Sequence, residues 1–115
     1  MALDNLFHLD IIELMENYVA RNRPEVEIRD QLDLSYKIED QSVTIFSIRP
    51  QYHNLDKKGE YDAAKATYLK SKNEWKVFWL KSDLKWHSYK PKAVVKNLKI
   101  FVQLVEEDKH HCFWG

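Results

Sequence analysis

Near the N-terminus, apolar residues recur every three or four positions at Phe7, Ile11, Leu14, Met15 and Tyr18, with Asp4 placed to cap the run and Pro24 to end it. That period describes an amphipathic helix with one face to bury. From Val26 the period becomes two: Val26, Ile28, Leu32, Leu34, Tyr36 and Ile38 alternate with Glu27, Arg29, Gln31, Asp33, Ser35 and Lys37. The alternation predicts a long half-buried strand on which Asp30 is the one charged residue of the apolar side. Glu39-Asp40-Gln41-Ser42 interrupts the pattern before a second apolar segment at residues 43–50. A two-residue turn at Asp40-Gln41 sets Ile38 across from Val43, Tyr36 from Ile45 and Leu32 from Arg49.

Residues 51–62 are polar and read as a loop. Residues 63–70 and 74–81 form a second hairpin, and a turn at Lys72-Asn73 places Tyr68 across from Val77 and Ala66 across from Trp79, making Trp79 a core residue over a small neighbour. The other side of this hairpin, with Lys65, Thr67, Leu69, Lys76, Phe78 and Leu80, is mixed. Residues 86–89 add a short edge strand, and Pro91 opens a helix with Val94, Val95, Leu98, Phe101, Val102 and Val105 on one side and Lys96, Lys99 and Gln103 on the other. The expected fold class is α+β: a single domain over residues 1–115, with an N-terminal helix, two antiparallel hairpins giving four to five strands, and a C-terminal helix, both helices on one face of the sheet.

Composition narrows the setting. A chain of 115 residues that is 44% hydrophobic and 13% aromatic can close one core without metal or disulfide. Cys112 is the single cysteine, Asp4 and Asp10 stand where a leader would need basic and apolar residues, and no apolar run approaches the roughly 18 residues of a membrane span. The expected setting is the reducing cytoplasm, away from the membrane. Net charge is zero but divided: residues 1–62 carry seven basic and thirteen acidic side chains, a balance of −6, whereas residues 63–115 carry eleven lysines and five acids, a balance of +6. Such a split suits a nucleic acid or an acidic protein surface as partner. It also suits cancellation within one domain, or a homo-oligomer in which the acidic half of one copy meets the basic half of another.

Residues 79–91, WLKSDLKWHSYKP, interleave aromatic and basic side chains as single-strand binding surfaces do. Lys85, His87 and Tyr89 share one side of the edge strand, and with Lys65 and Lys76 they form the candidate ligand-binding set of a non-catalytic binding module. Asp30 and Arg49 are the second candidate pair, because a carboxylate on an apolar strand face needs a cation nearby. The alternative is a small enzyme with a site around Asp30, Arg49 and Lys65. A metal nuclease would place Glu-x-Lys on the strand after Asp30, where Phe46-Ser47-Ile48 stands instead. Asp108, His110, His111 and Cys112 include metal-ligand types, yet neighbours in sequence rarely point at one ion, and the expected role of this tail is to pack Phe113 and Trp114 onto the sheet. No glycine-rich phosphate loop or dinucleotide fingerprint occurs, so no catalytic residue, metal or cofactor is assigned.

EIRD (27–30), FSIRP (46–50), AKATYLKS (64–71), WKVFWLKSDLKWHSYKP (75–91) and CFWG (112–115) occur in this order and with these spacings over residues 24–115. Together they resemble the bacterial family catalogued as domain of unknown function 3024. The resemblance implies a small bacterial protein that is a complete domain by itself, and it carries no assigned activity. The pair His110-His111 lies outside the pattern.

Overall fold

The computed structural model describes residues 5–114. Helix α1 (Asn5–Asn22) buries Ile11, Met15 and Tyr18 along one side, as their spacing requires. The expected cap Asp4 lies outside the described residues.

The strand expected from Val26 begins only at Asp33. Residues 26–28 form one 3-10 turn, held by Ile28 N–H to Glu25 C=O and Arg29 N–H to Val26 C=O, and the Arg29 Nε–H donates to the Pro24 carbonyl at 2.9 Å. The turn carries the chain from the end of α1 to the sheet edge, where Arg23 grips both carboxylate oxygens of Asp33 at 2.7 and 2.8 Å. Val26 is 70% exposed, and Ile28 and Leu32 are exposed as well. Their alternation therefore belongs to a solvated connector.

Strand β1 (Asp33–Glu39) pairs with β2 (Ser42–Gln51) in the expected register, Ile38 opposite Val43 and Tyr36 opposite Ile45, with Asp40 in the left-handed region at φ 52° inside the two-residue turn. Strand β3 (Asn54–Leu69) is 16 residues long and absorbs the segment expected as a loop. Residues 54–60 have no apolar side to bury, so backbone pairing with the end of β2 holds them in an arm with little hydrophobic signature. Where the arm joins the core, Ile45 faces Ala64 but Phe46 faces Asp62, leaving Ala63 as a bulge.

Strand β4 (Glu74–Leu80) follows a turn over residues 70–73, with Asn73 at φ 50°. This turn is two residues longer than expected, so the register slips by two: Val77 faces Ala66, Trp75 faces Tyr68 and Trp79 faces Ala64. An even slip leaves each side chain on its face but moves it along the sheet. Trp75, not Trp79, becomes the fully buried tryptophan, packed with Phe7 and Tyr68 at ring separations of 5.9 and 5.1 Å. Trp79 is half-buried at the margin of the core, with the Lys81 ammonium 5.1 Å from its ring.

Strand β5 (Trp86–Ser88) and the short β6 (Val94–Val95) both pair with β4, at its far and near ends respectively. The sheet runs β1-β2-β3-β4-β5, antiparallel throughout. Helix α2 (Leu98–Glu107) starts at Asn97, whose side chain accepts the Ile100 N–H at 3.0 Å. It ends at Asp108 in the left-handed conformation, φ 42°, with the Asp108 N–H on the Leu104 carbonyl. The Asp108 carboxylate then accepts the Phe113 and Trp114 N–H groups at 3.1 and 3.0 Å, which folds the tail back and seats Phe113 in the core.

The core is one cluster: Ile11, Met15 and Tyr18 of α1 and Phe101, Val102 and Val105 of α2 lie over Val43, Ile45, Ala64, Ala66, Trp75 and Val77. Ala64 and Ala66 keep the centre of the sheet low enough for both helices to sit on this side. No helix among the described residues is long and apolar enough to cross a membrane.

Candidate functional site

The helices occupy one side of the sheet, and among the described residues no helix covers the other, open side. Partners across antiparallel strands share a face, so Lys37, Thr44, Lys65, Phe78 and Ser88 stand in one row across the sheet. Phe46, Asp62, Thr67, Lys76, Leu80 and Trp86 also lie on this open side, as do Ser35, Glu39, Ser42, Ile48 and Glu60. Phe46 is buried, whereas Phe78, Leu80 and Trp86 are half-buried.

Lysines cover these rings. The Lys65 ammonium lies 4.7 Å from the centre of the Trp86 ring and 5.3 Å from that of Phe78, and Lys37 lies 5.3 Å from Phe46. The aliphatic stems shield apolar surface while the charged heads stay wet, and each head gains from the face of a ring. Lys37 is neutralised by Asp62 at 3.2 Å and Glu60 at 3.9 Å. Lys65 and Lys76 have no carboxylate partner among the described residues, and neither have Lys72, Lys81, Lys85, Lys90 and Lys92 in the turns at this end of the sheet. The basic half of the chain thus keeps its charge at the surface, while Arg21, Arg23, Lys37 and Lys58 each pair with an acid.

The structure divides the expected ligand-binding set. Lys65 and Lys76 lie on the open face, but His87 is across from Trp79 and so belongs to the helix side. There His87 Nε2 is 2.9 Å from Asp83 Oδ2, and that hydrogen bond, with another from the Lys85 N–H, lowers the pKa of Asp83. Lys85 is in the exposed turn before β5. Tyr89 is 2% exposed, stacked 4.8 Å from Phe113, and burial, then Cys112 and Asp108, push its hydroxyl pKa up. It is a core residue and no contact for a ligand. A three-residue strand is too short for alternation to tell inside from outside, which is why His87 and Tyr89 stood out and Trp86 did not.

The Asp30–Arg49 pair is not formed. Asp30 leaves the apolar side with the connector that carries it: its carboxylate is 91% exposed and meets Lys58 at 3.5 Å. Arg49 lies over the Tyr61 ring at 4.7 Å, on the helix side, while Lys65 is on the open face. These three residues do not converge, so the arrangement expected of a small enzyme is not assembled from them. Asp108 is committed to the tail, and the Cys112 thiol, its pKa raised by burial and then by Asp108, lies 3.7 Å from the His110 carbonyl.

A family model described as Domain of unknown function (DUF3024) matches residues 5–115, from the first turn of α1 to the end of the tail. The chain belongs to this family. The match takes in every strand of the DUF3024 sheet and both helices, so the open face and the helices that leave it open are parts of one family domain. No curated protein and no solved structure matches the chain.

Proposed function

We propose that this DUF3024 protein is a non-catalytic binding module whose open sheet face holds single-stranded nucleic acid. The observation that supports the reading is Lys65: among the described residues its ammonium has no carboxylate partner, and it is set over Trp86 and Phe78 on a side that none of the described helices covers. A single strand offers a phosphate to the lysine and a base to the ring it vacates, and neither contact requires a particular base. Lys76 and the turn lysines extend the positive surface along the strand's path. Stacking explains why aromatic rings stand on an exposed side where an acidic protein would need lysines alone.

Anisotropy titrations with a labelled deoxythymidine oligonucleotide of roughly ten nucleotides, from about 50 to 200 mM salt, test this. The logarithm of the affinity should fall with that of salt by about 0.7 per phosphate neutralised, and Lys65→Gln with Lys76→Gln should flatten the slope by roughly 1.4. Lys85→Gln should change it less, being off the face. Absence of binding near 50 mM salt, or binding of an acidic protein probe through these lysines with none of the oligonucleotide, refutes the reading.

A further inference from the structure

On the helix side, where the arm of β2 and β3 leaves the core, the ends of α1 and α2 and the folded tail enclose a cleft of about 510 Å³, within the size range of small-molecule sites. Two short segments far apart in sequence meet there: Ser47 and Arg49 from FSIRP, and Phe113 and Trp114 from CFWG. Leu34 and Tyr61 add apolar wall.

The polar groups of the cleft are unevenly satisfied. Ser47 is 5% exposed and Tyr18 1% exposed, yet neither hydroxyl has a hydrogen-bond partner among the described residues. No side-chain nitrogen or oxygen that is sealed from solvent among these residues lacks a partner, so both hydroxyls open into the cleft. Burial, and then the charge of Glu106, raise the Tyr18 hydroxyl pKa and keep it a donor.

The charges are uneven as well. Asp33 is paired with Arg23 at 2.7 Å and Glu106 with Arg21 at 2.6 Å, while Asp62 lines the cleft but turns its carboxylate to Lys37 on the open face, at 3.2 Å. Arg49 also lines the cleft and has no carboxylate partner among the described residues. Lying against Tyr61 leaves the edge of its guanidinium free, and that edge matches a carboxylate with two parallel N–H donors. One surplus positive charge beside two paired carboxylates favours a monoanion over a dianion such as a phosphate monoester.

We propose that the cleft is a binding site for a small organic carboxylate, its carboxylate on Arg49, the Ser47 and Tyr18 hydroxyls donating to it or to an adjacent oxygen, and its apolar body against Leu34, Phe113 and Trp114. The site is on the opposite side of the sheet from the nucleic-acid platform and independent of it.

Titration of the 15N-labelled protein with 3-phenylpropionate, and separately with its neutral amide, tests the assignment. The carboxylate should shift the Trp114 indole and the Ser47 and Tyr61 amide signals saturably. The amide should bind at least roughly ten-fold more weakly, as should the carboxylate to Arg49→Gln, since each change removes a charged hydrogen bond. Arg49→Lys keeps the charge without the paired donors and should fall between. Arg49 is exposed, so these variants should keep the parent's dispersed spectrum. Lys65→Gln with Lys76→Gln should leave the carboxylate titration unchanged, whatever the oligonucleotide does. No saturable shift, equal binding of acid and amide, or undiminished binding by Arg49→Gln overturns the proposal.

Discussion

Trp75 and Trp86 sit on opposite faces of one sheet, and what covers each differs. Trp75 is packed under α1 with Phe7 and Tyr68, and Val77 and two alanines beside it complete a surface that two helices close. Trp86 shares its side with Phe78 and Leu80 and lies under the Lys65 side chain, with no helix among the described residues over it. A helix cannot be displaced without unfolding the domain, whereas a lysine stem can rotate away at the cost of one cation–π contact, about 0.5–1 kcal/mol at an exposed site. The two faces use the same kinds of residue for different ends. One stores stability, and under the proposed function the other keeps aromatic surface within reach of a ligand.

If the faces differ in this way, their variants should separate by size of effect. Trp75→Ala should cost about 3–5 kcal/mol in urea unfolding, through loss of a buried ring and the cavity left behind. Trp86→Ala should cost only about 1–2 kcal/mol in the same measurement. It should also weaken oligonucleotide binding by about 1–3 kcal/mol, the range for one stacked base. Asn97→Ala removes the acceptor of the Ile100 N–H and should destabilise by about 1 kcal/mol without altering oligonucleotide affinity, since α2 lies on the closed side.

The smallest effect is expected at the pair that ties α1 to the edge strand. Hydrogen bonding from Arg23, helped by the Leu34 N–H, holds the Asp33 carboxyl below its ordinary pKa. A depressed carboxylate stabilises the fold above the ordinary value, about 3.9, and loses that contribution as pH falls through the lower folded value. The stability difference between the parent and Asp33→Asn should therefore be full at neutral pH and fade in acid. A difference that grew on acidification would contradict the pairing.

Much of this architecture is legible in the residues. The first hairpin follows from the Asp40-Gln41 turn, because only one two-residue loop puts Ile38 and Tyr36 on the side of Val43 and Ile45. The N-terminal helix follows from its spacing, whereas the C-terminal one, expected to open at Pro91 with Val94 and Val95 on its apolar side, starts only at Leu98, because Val94 and Val95 pair with β4 as β6. The second hairpin is less constrained: Lys70-Ser71-Lys72-Asn73 contains neither glycine nor proline, and turns of two or four residues give the same faces, so the pattern left Trp75 and Trp79 interchangeable. Val26 and Ile28 alternate as a strand does, but the ten residues between α1 and β1 are needed to reach the sheet edge. The arm was hidden for the opposite reason, since strands solvated on both sides have no apolar period. Lys65 and Lys76 were visible as a pair on one face, and Trp86 became their neighbour only once β5 was registered on β4. The cleft was not legible at all, because its residues come from two helix ends, the connector after α1, three strands and the tail, and only folding brings them together.

Amide chemical-shift mapping with the same deoxythymidine oligonucleotide, near 50 mM salt where electrostatic binding is strongest, tests the central claim most directly. Saturable shifts are expected at Lys65, Lys76, Phe78 and the Trp86 indole, with Trp75, Val77 and the residues of α1 and α2 unmoved. Saturation without any change at Trp86 and Lys65, or shifts confined to the helix side, would contradict it.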